Sequence, residues 1–373
     1  MIQTEGKKVL VAMSGGVDSS VAALLLKEQG YDTAGVTMCL GVLDEEDDSP
    51  RCCGADAVND ARQVCERLGI QHYVIDYAAD LEEKVIRPFI AEYARGRTPN
   101  PCVDCNRHLK FGSLLDRAKT MGFDYLATGH YAGIDKTGTN YCLKRPKDRR
   151  KDQTYFLYHV TKEKLESILF PLAPYTKEEV RAIAEKAGLP VAAKPESQDI
   201  CFVTQKNYQA FIAGRLPQIN RDTLRQGVPI YLDKDGKKLG EHRGVMFHTI
   251  GQRSGLGISH PTPLYVIAID AMENRVVVGD KSDLQAKSLR AGDLNILVKN
   301  WPDTVCAKIR YRKKEAPCTV TFENDKVRVL FEENQEAITP GQSVVFYDGD
   351  VVLGGGIIEE VLRGTEGEKN EQD

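Results

Sequence analysis

A short apolar strand, Val9-Leu10-Val11-Ala12-Met13, runs directly into Ser14-Gly15-Gly16-Val17-Asp18-Ser19-Ser20 and then into an apolar helical run from Val21 to Leu26. A strand that turns straight into a helix opens a βαβ unit, which constrains the first part of the chain to a parallel sheet. The loop between them has its own chemistry. Paired glycines let the backbone approach phosphate oxygens closely, and the serine hydroxyls and first helical N–H groups supply donors. The distal Gly-Lys-Ser/Thr of a Walker A motif is missing, so the loop is a phosphate site of another kind.

Strand and helix alternate over the first 200 residues. Strands are expected at Thr33–Leu40, Gln71–Tyr77 and Tyr125–Thr128. Helices are expected at Ala55–Leu68, Leu81 to about Arg95, Leu109–Met121, Lys162–Leu169 and Lys177–Ala187. In the first of these, Ala57, Ala61, Val64, Cys65 and Leu68 recur at helical spacing. Thr176 with Glu179 reads as a capping box, and Gly188 as a stop. Such alternation predicts a parallel sheet with helices on both faces. Beyond Cys201 the pattern changes. A short helix is expected around Tyr208–Phe211, and turns at Asp233–Gly236, Ala271–Asn274 and Glu323–Asp325 separate extended segments. From about Ala286, short strands at regular spacing predict a small β-barrel built from Asp293–Val298, Cys306–Tyr311, Cys318–Phe322, Lys326–Phe331, Ser343–Tyr347 and Val351–Val361. The chain therefore divides into an α/β domain over residues 1–210, a β-rich central domain over 211–284, a β-barrel over 285–363 and an acidic tail, 364–373, expected to be disordered.

With 50 Lys and Arg against 54 Asp and Glu, the net charge is −4, which argues against a generic nucleic-acid coat. The local distribution says more. Residues 144–151 and 308–314 are basic clusters, the second with Tyr311 inside it, and each reads either as a solvated face or as a surface for an RNA-sized anion. No run of eighteen apolar residues exists and the N-terminus lacks the parts of a secretory signal, so a cytoplasmic protein without a membrane span is expected. In that setting ten cysteines read as thiol or metal chemistry before a disulfide framework. Thr98-Pro99-Asn100-Pro101-Cys102-Val103-Asp104-Cys105-Asn106 reads as a proline-stiffened loop presenting a Cys-x-x-Cys, with Cys201 as a distal third thiol. Such a set either activates thiolates or leaves one open position on an iron–sulfur cluster. Cys39, Cys52, Cys53 and Cys65 have no defined metal spacing, and Cys142, Cys306 and Cys318 fall in expected strands as packing residues.

The glycine loop resembles the PP-loop of the N-type ATP pyrophosphatases (adenine nucleotide α hydrolase-like), which leave an adenylate on their substrate. Ser14–Ser20, Thr98–Asn106, Ala127–Tyr131, Lys151–Leu157, Ser197–Phe202 and Thr249–Gly257 together, in this order, resemble the bacterial tRNA-specific 2-thiouridylases. The resemblance implies an ATP site formed by Ala12, Met13, Ser14, Gly15, Gly16, Val17, Asp18 and Ser19, with Met38 beside adenine and Gly129 opposite. It implies target-base contacts at Asn100, Pro101 and Cys102, and tRNA contacts at His130, Lys151, Asp152, Gln153, Tyr311, Arg312 and Gln342. Cys105 matches the family's nucleophile and Cys201 its persulfide carrier. Many members carry Asp where this chain has Cys102, so that residue's role is not transferred. Two routes stay open: a persulfide on Cys201 resolved by Cys105, or a [4Fe-4S] cluster on Cys102, Cys105 and Cys201. The implied substrates and partners are Mg²⁺-ATP, wobble-uridine tRNA of the glutamate, lysine and glutamine types, and a sulfur donor such as a cysteine desulfurase or sulfur carrier. Asp18 reads as a Mg²⁺ or loop-ordering carboxylate, or as a helix cap. Arg253 reads equally as a phosphate contact or as a pin for the central domain. Two rivals are a PP-loop amidotransferase, which needs no thiol, and a non-catalytic iron–sulfur or RNA-binding module that retains an ATP loop.

Overall fold

The computed structural model describes residues 6–41, 55–138, 140–195, 200–203, 207–215 and 229–363. Cys52, Cys53, Ser197–Asp199 and the acidic tail lie outside the described residues. The chain forms two compact units: Met1–Ile86 with Pro101–Lys206 and Asp350–Val352, and Arg87–Asn100 with Asn207–Gly349 and Leu353–Asp373.

The first unit is built on a parallel sheet. Its strands are β1 (Lys8–Ala12), β2 (Asp32–Cys39), β3 (Gln71–Asp76), β4 (Tyr125–Thr128) and, after a hairpin of β5 (Gly133–Thr137) and β6 (Asn140–Lys144), β7 (Ile168–Leu169). The order is β3-β2-β1-β4-β7. β1 lies at the centre because Val9, Leu10 and Val11 are fully buried between two parallel neighbours, the continuous apolar run expected of such a strand. Helix α1 (Val17–Glu28) buries nine of its twelve residues, and Gly30 at φ 87° ends it. Helix α2 (Ala55–Leu68) packs its expected face inward through Ala61, Val64, Cys65 and Leu68. It comes so close to β2 that a Cβ on Gly35 would lie 2.6 Å from Cys65 Sγ. Burial pushes that thiol up to about 11, in keeping with a packing role.

Three expectations in this unit are corrected. Lys162–Leu169 is not one helix: only Lys162–Leu165 winds, and Ile168–Leu169 joins the sheet beside Leu126 and Ala127. A short apolar run has no period to separate strand from helix, and Pro171 forbids a longer one. The helix near Leu81–Arg95 begins at Ala78 and is π-wound over Glu82–Ile86, because Pro88 has no N–H for the carbonyl one turn back. The Cys-x-x-Cys is not on a loop. Pro101 sits at a first helical position, where its fixed φ is favourable, and the chain winds from there, π-wound from Cys105, breaks at Gly112 (φ −102°, ψ −108°), and is helical again to Thr120.

In the second unit, β8 (Ile230–Leu232), β9 (Lys238–Glu241), β10 (Tyr265–Asp270) and β11 (Arg275–Gly279) form a sheet of order β10-β11-β8-β9. Six further strands follow: β12 (Gln285–Ile296), β13 (Val305–Lys308), β14 (Ala316–Glu323), β15 (Lys326–Glu336), β16 (Ser343–Asp348) and β17 (Val351–Leu362). They run β12-β15-β14-β13-β16-β17, and β17 pairs back onto β12 to close the barrel. Asn274 and Asn324, at φ 52° and 57°, make the expected turns. Tyr311 lies in a turn, beyond the end of β13.

Candidate nucleotide and thiol site

Because β1 lies between β2 and β4, the carboxyl ends of these three strands are neighbours at the point where the strand order reverses, the usual ligand crevice of an open α/β sheet. Ala12–Ser19 leaves β1 there, Met38 is half-buried near the end of β2, and Gly129 follows β4. The loop is held by its own serines. Ser14 N–H donates to Ser19 Oγ at 3.2 Å, and the Ser19 and Ser20 hydroxyls donate to the Gly16 carbonyl at 3.2 and 2.8 Å. Gly15, at φ 68°, passes so near α2 that a Cβ would meet the Ala57 carbonyl oxygen at 2.4 Å. Gly129 is pressed against the first turn of α1, where a Cβ would lie 2.6 Å from Ser19 N.

Asp18 does not cap its helix; the cap position is Gly16, without a side-chain bond. Its Oδ1 accepts from Tyr131 Oη at 2.9 Å and from Lys177 Nζ at 2.6 Å. Lys177 is a buried lysine at the start of the helix Lys177–Lys186, which the expected Thr176–Glu179 capping box opens. A second lysine reaches the loop: Lys194 Nζ donates to the Gly15 carbonyl at 3.1 Å and pairs with Asp60 at 2.5 Å. Neither lysine was singled out by the sequence reading, because each is more than 130 residues from its partner carboxylate.

The thiol helix precedes β4 in the chain. Cys102 has an exposed side chain, yet the protein packs densely enough around it that desolvation pushes the thiol up to about 11, with Cys105 and Asp104 adding and Lys110 opposing. Cys105 is buried, and desolvation raises its thiol too. Lys110 also acts on His130, whose burial holds it well below its usual value, so the imidazole is neutral. Its Nδ1 is 2.7 Å from Thr128 Oγ1, and its ring packs against both Phe111 and Phe170, centroids 6.0 and 6.1 Å away. The charge of Lys110 thus acts on both cysteines and on the histidine, and the sequence reading passed over it. Asn106 donates to the Phe156 carbonyl at 3.0 Å while its Oδ1 is buried without a partner.

Cys201 is an exposed thiol on a turn. Among the described residues, no group of three His, Cys, Asp or Glu side chains is arranged to hold a metal ion, so the cluster, one of the two routes left open, has no ready-made ligand set here. Cys102 and Cys105 are one helical turn apart with thiols held protonated by burial, the opposite of what thiolate ligation needs. Cys39 departs from the expectation of reduced thiols, being disulfide-bonded.

The expected RNA-facing residues are placed as follows. Most of the basic run 144–151 already has carboxylate partners: Lys144 with Asp135, Lys147 with Glu179, Arg149 with Asp350, and Arg150 with Glu178. Those pairs are exposed, so each is a weak bond that a phosphate can replace. Asp152 is buried and accepts from Thr154 N and Oγ1 at 2.9 and 2.6 Å, and Gln153 Oε1 accepts from Tyr131 N at 2.8 Å. Lys151 is half-buried beside them. In the second unit, Gln342 Nε2 donates to the Thr98 carbonyl at 2.8 Å, within the extended segment that ends at a half-buried Asn100 before the buried Pro101. Arg310 donates to the Ile250 carbonyl at 3.0 Å and to Thr339, and Lys313 to the Glu336 carbonyl, so two cations of the second basic cluster hold the fold. Arg312 is exposed, and Lys308 sits over the Tyr311 ring at 5.3 Å. No helix among the described residues is long and apolar enough to cross a membrane.

Family models match along the whole chain: a tRNA methyl transferase HUP domain over residues 7–205, a tRNA methyl transferase PRC-barrel domain over 219–280 and an aminomethyltransferase beta-barrel domain over 286–358. The chain is 58% identical over 360 residues to tRNA-specific 2-thiouridylase MnmA 1 of Syntrophus aciditrophicus (strain SB), covering 95% of this chain and 94% of that one. It is 50% identical over 363 residues to tRNA-specific 2-thiouridylase MnmA of Acetivibrio thermocellus, covering 95% and 99%. With the enzyme of that name from Clostridium botulinum (strain Alaska E43 / Type E3) it shares 47% over 362 residues, again 95% and 99%.

Proposed function

Since the chain belongs to the tRNA-specific 2-thiouridylases and is a tRNA sulfurtransferase, we propose that it adenylates the C2 oxygen of the wobble uridine, position 34, and replaces that oxygen with sulfur from Cys201. The C2 oxygen is a poor leaving group. Its attack on the α-phosphate of ATP releases pyrophosphate and converts it into part of AMP, which leaves readily. The Ser14–Ser19 loop and the first N–H groups of α1 stabilise the charge that develops on the departing pyrophosphate. Asp18 would hold Mg²⁺ at the phosphates, where the ion would supply charge neutralisation.

The sulfur step follows. A Cys201 persulfide attacks C2 with its terminal sulfur, AMP departs, and the base is joined to Cys201 through two sulfurs. Cys105 then attacks Cys201 Sγ, leaving 2-thiouridine and a Cys105–Cys201 disulfide that a thiol reductant reopens. Cys105 needs a proton acceptor as it attacks, since burial holds it as a thiol. The positive charge of Lys110 opposes that effect of burial and favours the Cys105 thiolate. The sulfur itself comes from a cysteine desulfurase or a sulfur carrier, and the RNA is of the glutamate, lysine or glutamine type. Asn100, Pro101 and Cys102 meet the extruded base, and Lys151, Tyr311, Arg312 and Gln342 lie on the tRNA surface.

One observation carries this reading. Two consecutive residues after β4 support it: Gly129 is pressed against the phosphate loop, and the His130 ring packs against Phe111 of the helix that carries Cys102 and Cys105. An amidotransferase has no use for those thiols.

The test incubates the protein with unmodified glutamate tRNA, Mg²⁺-ATP, a cysteine desulfurase with L-cysteine and a thiol reductant, beside Cys201→Ala, and reads digested RNA by mass spectrometry. ATP-dependent 2-thiouridine at position 34 is expected only with Cys201 intact. Pyrophosphate release without any thiolated base, with a competent sulfur donor present, overturns the sulfur step. Loss of thiolation in Cys102→Ser as complete as in Cys201→Ala would return the three-cysteine cluster to contention.

A further inference from the structure

The turn before β10 has no part in the chemistry above, yet its composition is unusual. The chain has 54 Asp and Glu in 373 residues, but residues 242–269 contain none. Within that carboxylate-free stretch, Arg253, His260 and the glycines at 255 and 257 line a depression of about 350 Å³ in the second unit. The volume falls in the ~300–1,000 Å³ range of small-ligand sites. Arg253 is exposed and has no ion-pair partner among the described residues, in contrast to the paired cations of the 144–151 run. Both glycines have left-handed φ, 77° and 69°, while a Cβ on either would meet nothing closer than 3.9 Å. They are bare because of backbone conformation and not because anything packs on them, so the main chain beside Arg253 is open to a ligand. Pro261 and Pro263, on either side of Thr262, stiffen the lining. His260 is fixed there, its Nδ1 3.1 Å from the Thr262 carbonyl oxygen.

We propose that this depression is a nucleotide subsite for the RNA substrate, with a phosphate on Arg253 and the exposed turn, and the attached nucleoside against the prolines and His260. The proposal rests on the reading of the protein as a tRNA-thiolating enzyme and adds a contact point within its central domain. A cation without an ion-pair partner among the described residues, in a lining without carboxylates, selects an anion, and the depression has room for more than inorganic phosphate. The polar half positions the backbone without reading sequence.

The test measures binding of unmodified tRNA between 50 and 200 mM salt for the wild type, Arg253→Ala, Arg253→Lys and Thr262→Trp. Arg253→Ala is expected to weaken binding about tenfold at low salt and to reduce the slope of log K against log salt by about one, the signature of one lost phosphate contact. Arg253→Lys keeps the slope with a smaller loss of affinity. Thr262→Trp fills the depression and weakens binding while the slope is unchanged. Melting temperature and ATP binding of each variant check that the fold is intact. Wild-type protein that binds and thiolates tRNA, with Arg253→Ala showing the same affinity and slope, overturns the subsite alone. An Arg253 effect with none from Thr262→Trp overturns the nucleoside half and leaves a bare phosphate contact. Wild-type protein that binds no tRNA overturns the subsite together with the reading it rests on.

Discussion

Replacing Gly129 by alanine isolates the contact between β4 and the phosphate loop. The backbone there is not left-handed, so alanine adds no conformational strain. What it adds is one carbon, 2.6 Å from Ser19 N, 2.7 Å from Asp18 C and 2.9 Å from Ser19 Cα. All three are main-chain atoms of the first turn of α1, so no side chain can swing aside. Restoring an ordinary contact of 3.4 Å from 2.6 Å requires about 0.8 Å of separation between the strand end and the helix that donates to phosphate. A displacement near 1 Å in a positioning element costs on the order of 100-fold in rate, and overpacking a rigid contact costs about 1–3 kcal/mol of stability. Gly129→Ala is therefore expected to lower ATP-dependent pyrophosphate release about 100-fold while the protein still folds, with its melting temperature lowered by several degrees. Gly122→Ala is the control: at φ 85° with nothing within 4 Å of its Cβ, it costs about 1 kcal/mol of backbone strain and leaves the rate alone. Pyrophosphate release is measured with tRNA present, alongside thermal unfolding of both variants. A Gly129→Ala rate within twofold of wild type would refute the argument that this contact sets the loop.

Lys177→Met leaves Asp18 with only the Tyr131 hydroxyl; because Asp18 is about one-third exposed, the cost is discounted to about 1–3 kcal/mol, read by urea unfolding, and KM for ATP rises. Unchanged stability and KM would make the pair a bystander. Burial pushes His248 down to about 4 from 6.5, so the unfolded chain binds the extra proton first as acid is added. Its stabilising contribution is full above pH 6.5 and is lost as pH falls towards 4, about 3 kcal/mol in all; His248→Phe should flatten that part of the denaturation-versus-pH curve, and an unaltered curve would sink the assignment. Cys102, exposed but raised to about 11, should react with iodoacetamide at pH 8 tens of times more slowly in the native protein than in the urea-denatured chain, as peptide mass spectrometry will show; equal rates would mean its thiol is not desolvated.

Local features were legible because their causes are local. The strand–loop–helix at Val9–Leu26, the inward face of α2, the Thr176 capping box and the Asn274 and Asn324 turns each depend on φ/ψ preferences or a period carried by adjacent residues. The barrel's strand spacing was legible for the same reason, although its closure through β12 and β17 was not. The misread elements were those where two local rules compete. Pro101 was taken as loop punctuation when it opens a helix, and Ile168-Leu169 was too short to show a period.

The sequence alone determined the chemistry on offer: a phosphate loop, three context-bearing thiols and tRNA-family motifs in order. Tertiary structure decided what those groups can do. It paired Asp18 with Lys177 across 159 residues, tied Lys194 to Gly15 across 179, and required a side chain of zero size at Gly129 because a helix backbone passes there. It also turned Arg310 and Asp152 inward and left Arg253 without an ion-pair partner among the described residues. No neighbouring residue encodes such pairings. They arise when the sheet order brings distant strand ends together, and burial then sets which thiol, carboxylate or imidazole carries charge.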